Sequence, residues 1–165
     1  MAKFVAADAS PLIGLAAAGL LALLRDLFGT VTITRLVKDE VAGRGDRPGA
    51  SELDEALRAG WIRVAPTPLA TWRFDRIDPG EASTIALAAE QEEALVLMDD
   101  ALGRAEALAA GLEVVDVPGI LLAAKRATLI DAVQPLVARL ARRGFTLSDA
   151  ARLSLLHEAG ESEPR

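Results

Sequence analysis

The sequence predicts an α/β fold, a three-layer sandwich in which a central, mostly parallel sheet is flanked by helices. Two observations predict this fold. Apolar runs of strand length alternate along the chain with helix-length segments, so that helical crossovers separate the strands and the strands run parallel. The strand-length runs are almost purely apolar, which is typical of strands that helices bury on both faces.

The length and composition of the chain favour one domain with a proper core. The chain has 165 residues, of which 52% are apolar and 25% charged, and this composition is typical of a folded globular protein. We expect a single domain over residues 1–160, followed by a flexible C-terminal tail over residues 161–165.

Three strands and three helices are predicted in the first half of the chain. The strands are residues 3–7, 30–34 and 61–65, and the helices are residues 10–28, 35–44 and 51–60. Ser10 and Ser51 are placed as N-cap residues, with Pro11 in the first turn that follows Ser10. Gly60 lies just past the end of its helix, where glycine is favoured.

The second half of the chain begins with an irregular segment, residues 66–80, and then alternates again. Its predicted strands are residues 94–98 and 112–116, and its predicted helices are residues 80–92, 101–111, 118–127, 131–144 and 147–160. The strands are bounded by helical segments, as a parallel sheet requires.

An apolar stretch at residues 11–24 resembles the core of a signal peptide. It is too short to span a bilayer, no clear small-residue cleavage site follows it, and a strand precedes it. We interpret it as a buried helix of the domain and expect no membrane association. The absence of cysteine excludes disulfides and thiolate metal sites and is consistent with a cytoplasmic location.

Charge is distributed unevenly along the chain. The net charge of −6 argues against a generic basic coat for nucleic acid. Residues 75–116 hold eleven acids and two arginines, whereas residues 125–152 hold six basic residues and two acids. This pattern is typical of a metal site beside a phosphate-binding surface, and equally of two solvated helix faces of opposite sign.

Five acids follow strands or begin helices at places that can meet. Asp8 ends the first strand, and Asp99 and Asp100 end the strand at residues 94–98. Glu81 lies in the first turn of the helix before that strand, and Glu40 lies in the helix after the second strand. Since function in parallel sheets lies outside the carboxyl ends of the strands, we expect these acids to converge there.

Converging carboxylates would repel one another, and a divalent cation resolves that repulsion. Oxygen ligands without cysteine or clustered histidine select Mg²⁺ or Mn²⁺, which can activate water and neutralise a phosphate. We predict Asp8, Glu81, Asp99 and Asp100 as the metal ligands. Structural roles remain open for each acid: helix capping for the aspartates, a dipole interaction for Glu81, and for Glu40 an ion pair with the arginine four residues later.

Four segments carry a resemblance to the PIN-domain family, in particular to its small prokaryotic branch of predicted nucleic-acid-binding proteins. These segments are residues 5–41, 78–90, 95–115 and 119–145. The short motifs within them are Asp-Ala-Ser-Pro at residues 8–11, Gly-Glu-Ala at residues 80–82 and Asp-Asp-x-x-Gly-Arg at residues 99–104. The resemblance runs from residue 3 to about residue 160, and the order and spacing of the motifs make it specific.

The resemblance implies a metal-dependent ribonuclease fold that uses Mg²⁺ or Mn²⁺ and is often the toxin of a toxin–antitoxin pair. Asp8 matches the first-strand acid, Glu40 the acid of the following helix, and Glu81 the acid that opens the central helix. The Asp99–Asp100 pair contains the acid after the fourth strand, with Asp100 the nearer match. These five residues are therefore the candidate catalytic acids.

Further residues are candidates for contacts with substrate or partners. Ser10 matches a small hydroxyl beside the first acid, and Arg104 recurs in this branch, where it would contact phosphate or brace the acids. Lys125 and Arg126 belong to the basic flank that would grip RNA. The apolar helix after Pro11 and the terminal helices offer surfaces for a homodimer or a cognate antitoxin.

Other mechanisms and other classes of protein are less compatible with the sequence. The single histidine, His157, excludes a two-histidine ribonuclease, and neither a serine elbow nor a Walker A loop is present. Trp72 is a candidate base-stacking residue, although a core or partner contact is favoured for it. The alternatives are a non-catalytic module of the same fold that binds RNA or an antitoxin-like protein, and a receiver-type regulatory domain, which would need its paired acids near the first strand.

Overall fold

Five short parallel strands form the centre of the protein. The structure is a computed structural model that describes residues 3–163. The strands are β1 (Phe4–Ala7), β2 (Val31–Thr34), β3 (Ile62–Ala65), β4 (Ala94–Leu97) and β5 (Glu113–Val115). Their order across the sheet is β3-β2-β1-β4-β5, and every pairing is parallel. The predicted α/β fold is confirmed.

Helices connect the strands and continue after the last one. They are α1 (Ala9–Ala17), α2 (Ala22–Phe28), α3 (Arg35–Ala42), α4 (Ala50–Ala59), α5 (Pro79–Ala89), α6 (Ala101–Ala109), α7 (Val117–Arg126), α8 (Gln134–Arg142) and α9 (Asp149–Glu158). A 3₁₀ helix at Leu69–Arg73 interrupts the segment that was expected to be irregular. Helical crossovers of this kind make the parallel sheet possible.

The helices form two layers, one on each face of the sheet. Side chains of β1 alternate between the faces, with Val5 and Ala7 in one apolar cluster and Ala6 in the other. Helices α5 and α6 cover the face of Ala6, and the other helices contribute to the opposite cluster. Residues 80–88 of α5 are all buried, so this helix is part of the core along most of its length.

Strand β1 lies in the middle of the sheet and places its end beside that of β4. Phe4 pairs with Ala94, Ala7 pairs with Leu97, and the amide of Asp8 donates to the carbonyl of Leu97 (3.0 Å). The chain leaves β1 toward β2 on one side, while β4 lies on the other. The carboxyl ends of β1 and β4 therefore flank the switch point at which parallel sheets usually bind ligands.

The first helical segment differs from the prediction. Gly19, with a φ of +71°, lies between α1 and α2. The prediction of one continuous helix over residues 10–28 is therefore wrong, because two helices occupy this segment. Asp8, rather than Ser10, occupies the N-cap position of α1. Similarly, Gly49 occupies the N-cap position of α4 and Ser51 lies inside that helix.

Helix α1 is buried, as its apolar sequence predicts, but this removes a predicted partner surface. Leu12 and Leu15 are completely enclosed in the core. The apolar face after Pro11 is therefore occupied by the protein itself, and that part of the partner prediction is wrong. Within residues 3–163, no helix has the length and apolarity that crossing a membrane demands.

Part of the predicted tail is bound to the domain. The carboxylate of Glu161 accepts hydrogen bonds from Lys125 Nζ (2.6 Å), the amide of Val133 (2.8 Å) and the amide of Gln134 (3.0 Å). The prediction that residue 161 begins a flexible tail is wrong, because this carboxylate fastens α7 to the start of α8. Residues 164 and 165 lie outside the described part of the chain.

Candidate active site

A cleft of about 700 Å³ opens at the carboxyl edge of the sheet, beside the ends of β1 and β4. Charged side chains dominate its chemistry. Seven acids and three arginines line it: Asp8, Glu40, Asp78, Glu81, Asp99, Asp100, Asp116, Arg44, Arg104 and Arg143. All five predicted acids are therefore brought to one cleft, and their catalytic roles stay a prediction.

Asp8 lies at the centre of this cleft, between β1 and α1. Its side chain is only 5% exposed and makes no capping hydrogen bond to α1, although Asp8 occupies the N-cap position. The pKa of Asp8 is raised from 3.8 to about 7, mainly by burial and in part by the nearby carboxylates of Asp78, Glu40 and Asp99. The predicted capping role is therefore not what the Asp8 side chain performs.

Glu81 projects from the first turn of α5 and is 7% exposed. Burial raises its pKa from 4.5 to about 7, with further contributions from the carboxylates of Asp78, Asp100 and Asp8. An acid in the first turn of a helix is ordinarily stabilised in its charged form by the helix dipole. At Glu81, burial and neighbouring acids outweigh that effect.

Within residues 3–163, only one of the two carboxylate oxygens of Asp99 accepts a hydrogen bond. Its Oδ1 accepts from the amide of Val117 (2.9 Å), and its Oδ2 is buried without a hydrogen-bond partner among residues 3–163. Burial raises the pKa of Asp99 from 3.8 to about 6. Because a buried carboxylate oxygen normally has a partner, Oδ2 marks a place where a cation or a proton donor would be stabilised.

Asp100, the second acid of the pair, caps the following helix. Its Oδ1 accepts from the amide of Gly103 (2.9 Å) at the start of α6. Gly103 makes room for two neighbours, because a Cβ there would lie 2.5 Å from Met98 Sδ and 3.3 Å from the carboxyl carbon of Glu81. The capping interpretation of Asp100 is thus correct for one oxygen and is compatible with a place in the cleft.

Glu40 reaches the cleft from α3 and touches the start of α5. Its carboxylate occupies the space beside Gly80 into which a Cβ would project. Burial raises the pKa of Glu40, and Asp78 raises it further. Glu40 forms no ion pair with Arg44 in the described part of the chain, so the alternative interpretation as an ordinary helix-surface pair is wrong.

Sequence reasoning did not select two of the acids, Asp78 and Asp116. Asp78 caps α5 by accepting from the amide of Glu81 (2.9 Å). Asp116 caps α7 by accepting from the amide of Gly119 (2.9 Å). Their signals were present, since Asp78 immediately precedes a helix-initiating proline and Asp116 ends a strand as Asp8 does.

The predicted substrate-binding residues separate into two groups. Ser10 and Arg104 line the cleft, and the Arg104 guanidinium donates to Asp116 Oδ2 (3.0 Å), so it braces an acid. Lys125 and Arg126 are not among the residues that line the cleft. The ammonium of Lys125 is bound to Glu161 and to the carbonyl of Ala159 (2.7 Å), and its role as an RNA contact stays a prediction.

The acids of the cleft fit a hard divalent cation by chemistry. Their donors are all oxygen, three of them have raised pKa values, and Asp99 Oδ2 lacks a partner within residues 3–163. No three acidic or histidine side chains of residues 3–163 are close enough together to form a preassembled metal site. The fit to such an ion is therefore one of donor chemistry and not of preassembled geometry.

A family model described as a PIN domain matches residues 4–161. The chain belongs to the PIN-domain family. PIN domains are generally nucleases and typically use divalent metal ions, so this is a nuclease-type fold. No curated protein and no protein of solved structure gives a significant match to the chain.

The match covers most of the described chain. It includes β1, the Asp8 that follows this strand, and α9 up to Glu161, whose carboxylate binds Lys125. The expected membership of the PIN-domain family is confirmed. The residues that line the acidic cleft all lie within the matched range.

Proposed function

We propose that this PIN domain is a metal-dependent ribonuclease that hydrolyses phosphodiester bonds of RNA. The observation that carries the proposal is the convergence of Asp8, Glu81 and Asp99 in one cleft, where Asp8 and Glu81 are buried, Asp99 is half-buried, and all three have raised pKa values. Groups with strongly perturbed pKa values in a cleft are candidates for a functional site. Burying several acids together is costly to folding, and a bound cation offsets that cost.

Asp8, Glu81, Asp99 and Asp100 would hold Mg²⁺ or Mn²⁺, with Glu40 assisting from α3. When bound, the ion supplies charge stabilisation at the phosphoryl oxygens and activates a water molecule for attack. In the reaction, the water oxygen forms a bond to phosphorus and the bond between phosphorus and O3′ breaks. The products are a 5′-phosphate and a 3′-hydroxyl.

The chain's own residues prepare the cleft for this reaction. Asp78 caps α5 and fixes its first turn, which carries Glu81. Asp100 caps α6 in the same way and itself lines the cleft. Asp8 and Glu81 must lose their protons to ligate a cation, so binding releases protons most strongly below about pH 7. Ser10, exposed in the first turn of α1, offers a hydroxyl donor to a phosphate oxygen.

A partner-binding role for the same fold is the second candidate, and an exposed apolar pair favours it. Leu69 is 95% exposed and Trp72 is 74% exposed in the 3₁₀ helix before α5. Trp72 is therefore not a core residue, and large exposed apolar side chains of this kind are suited to contacts with another protein. The partner would be a cognate antitoxin or a second copy of the chain, with catalysis dispensable.

The test is Mn²⁺ titration of the wild type and of an Asp8→Asn/Asp100→Asn double variant, following thermal stability and cleavage of a mixed RNA pool. We expect Mn²⁺ at about 100 times its Kd to raise the wild-type Tm by roughly 5–10 °C. The wild type should cut RNA, and the double variant should show neither response. An Asp54→Asn/Glu55→Gln variant is the control, because it removes two exposed acids of α4 that do not line the cleft.

The outcomes separate the two candidate functions. Cleavage and stabilisation by Mn²⁺ in both the wild type and the control support the ribonuclease. Stabilisation without cleavage of any RNA in the pool contradicts the ribonuclease and favours the partner-binding role. A wild type whose Tm does not respond to Mg²⁺ or Mn²⁺ contradicts the metal site itself.

A further inference from the structure

The three arginines of the cleft differ in what they contact. Arg104 donates to Asp116 and is partly neutralised by it. Arg44 and Arg143 form no ion pair with any side chain of residues 3–163. Two cations that line an acidic cleft without pairing to its acids are available to an anion from outside.

Arg44 is the more unusual of the two, because it is partly enclosed. Its Nε is buried and donates to no group of the described chain. Burial lowers the pKa of Arg44, and the neighbouring guanidinium of Arg47 lowers it further. A guanidinium has only donors, so its unsatisfied N–H groups are stabilised by an acceptor that carries negative charge.

Arg143 also lines the cleft and is exposed at the end of α8, and the chain around it is fixed. The Phe145 ring packs on α1 at Gly14, where an added Cβ would lie 2.7 Å from Phe145 Cδ2. One turn before Arg143, Arg139 donates to the carbonyl of Ala18 (3.3 Å). These contacts hold the segment 143–148 against α1 and keep Arg143 beside the cleft.

Helix α1 lines the cleft together with the two arginines. Ser10, Gly14 and Ala17 line the cleft and lie on one face of α1 at intervals of three or four residues. Gly49 packs against the backbone of α1 at Ala16 and Ala17, which fixes the loop after Arg44 beside this helix. Both Arg44 and Arg143 therefore belong to segments that pack on α1 next to the acids.

We propose that Arg44 and Arg143 form a phosphate subsite that grips a backbone phosphate of the RNA next to the phosphate that is hydrolysed. The inference rests on the proposed ribonuclease function and adds the residues that position the RNA strand. Planar guanidinium groups suit phosphate oxygens because they donate two parallel hydrogen bonds. Because both arginines line the same cleft as the acids, they can bind the flanking phosphate while the acids act on the reacting one.

The test measures binding separately from cleavage. A 12-nucleotide single-stranded RNA with a fluorescent 5′ label is titrated with protein in Ca²⁺, which replaces Mg²⁺ or Mn²⁺ to slow hydrolysis, and a gel verifies that the RNA stays intact. We expect Arg44→Gln and Arg143→Gln each to weaken binding by about 5–10-fold and the double variant by about 30-fold or more. The double variant should reduce the slope of log affinity against log salt by about 0.7, as for the loss of one phosphate contact on a single strand.

Arg58→Gln is the matched control, because Arg58 is exposed on α4 and does not line the cleft. It should bind within about twofold of the wild type with an unchanged salt slope. A double variant that keeps wild-type affinity and slope overturns the subsite. If the subsite is overturned in this way but the wild type still cuts RNA in Mn²⁺, the ribonuclease proposal is retained. A wild type that neither binds nor cuts RNA overturns both proposals.

Discussion

The two ends of the sheet both carry acids, but they differ in burial and in pairing. At the carboxyl end, Asp8 and Glu81 are enclosed and raised in pKa. At the amino end, a cavity of about 310 Å³ is lined by acids that remain exposed, and one of them, Glu113, is paired with Lys3. Both ends of the sheet therefore have acids, and we place the proposed metal site at the end where Asp8 and Glu81 are buried without an ion-pair partner among residues 3–163.

The largest expected effect concerns stability against pH in the absence of metal. A carboxyl group whose pKa is higher in the folded protein than in the unfolded chain binds its proton more tightly when folded. For Asp8 the pKa rises from 3.8 to about 7, so the free energy of unfolding should fall as the pH rises between these values. Glu81 and Asp99 shift in the same direction and add to this fall.

Asp8→Asn removes the Asp8 contribution. In EDTA at pH 8 we expect it to raise the free energy of unfolding by on the order of 2–4 kcal/mol and to flatten the dependence between pH 4 and pH 7. Urea unfolding at a series of pH values measures both effects. An Asp8→Asn protein that is less stable than the wild type at pH 8 would show that the carboxylates at the two ends of the sheet are energetically alike.

An intermediate effect is expected from Gly80→Ala. The added Cβ would collide with the Glu40 carboxylate and lie 3.2 Å from Asp78 Oδ1. We expect a loss of about 1–2 kcal/mol in the free energy of unfolding and a smaller rise of Tm with Mn²⁺, because Glu40 is displaced from the cleft. Gly43→Ala is the control, since its Cβ would make only an ordinary contact with the carbonyl of Asp39 (3.4 Å). Equal behaviour of the two variants would remove Glu40 from the site.

The smallest effect is expected at the amino end. Glu113→Gln breaks the exposed pair with Lys3 and should change the free energy of unfolding by less than about 1 kcal/mol. It should leave the response to Mn²⁺ unchanged, which thermal melts with and without the ion measure. If Mn²⁺ no longer stabilised the Glu113→Gln protein, the metal site would have to lie at the amino end of the sheet.

Local sequence patterns were enough to predict the fold and the place of the acids. Apolar runs identified all five strands, and acids directly after β1 and β4 identified the edge at which they meet. Asp78 looked like a helix cap and is one, yet its carboxylate also raises the pKa of three neighbouring acids, which depends on how α3, α5 and β1 pack. Such a double role is a tertiary property that spacing along the chain does not encode.

Tertiary packing also explains the wrong predictions. The sequence predicts Lys125 to be a solvated cation, but Glu161, which follows α9, forms an ion pair with it. Arg44 reads as the partner of Glu40 at i+4, but the Glu40 carboxylate turns toward Gly80 instead. In both cases the contact that forms joins residues that lie far apart in the sequence, so local spacing does not predict it.

The position of β1 has a consequence for how the cleft is made during synthesis. The strand occupies the middle of the sheet and pairs with β4, which is made later because it begins 90 residues further along the chain at Ala94. Contacts of such long range form late, because the intervening chain must first be ordered. A nascent chain that ends before β4 carries Asp8, Glu40 and Glu81 but lacks Asp99 and Asp100, so its set of cleft acids is incomplete.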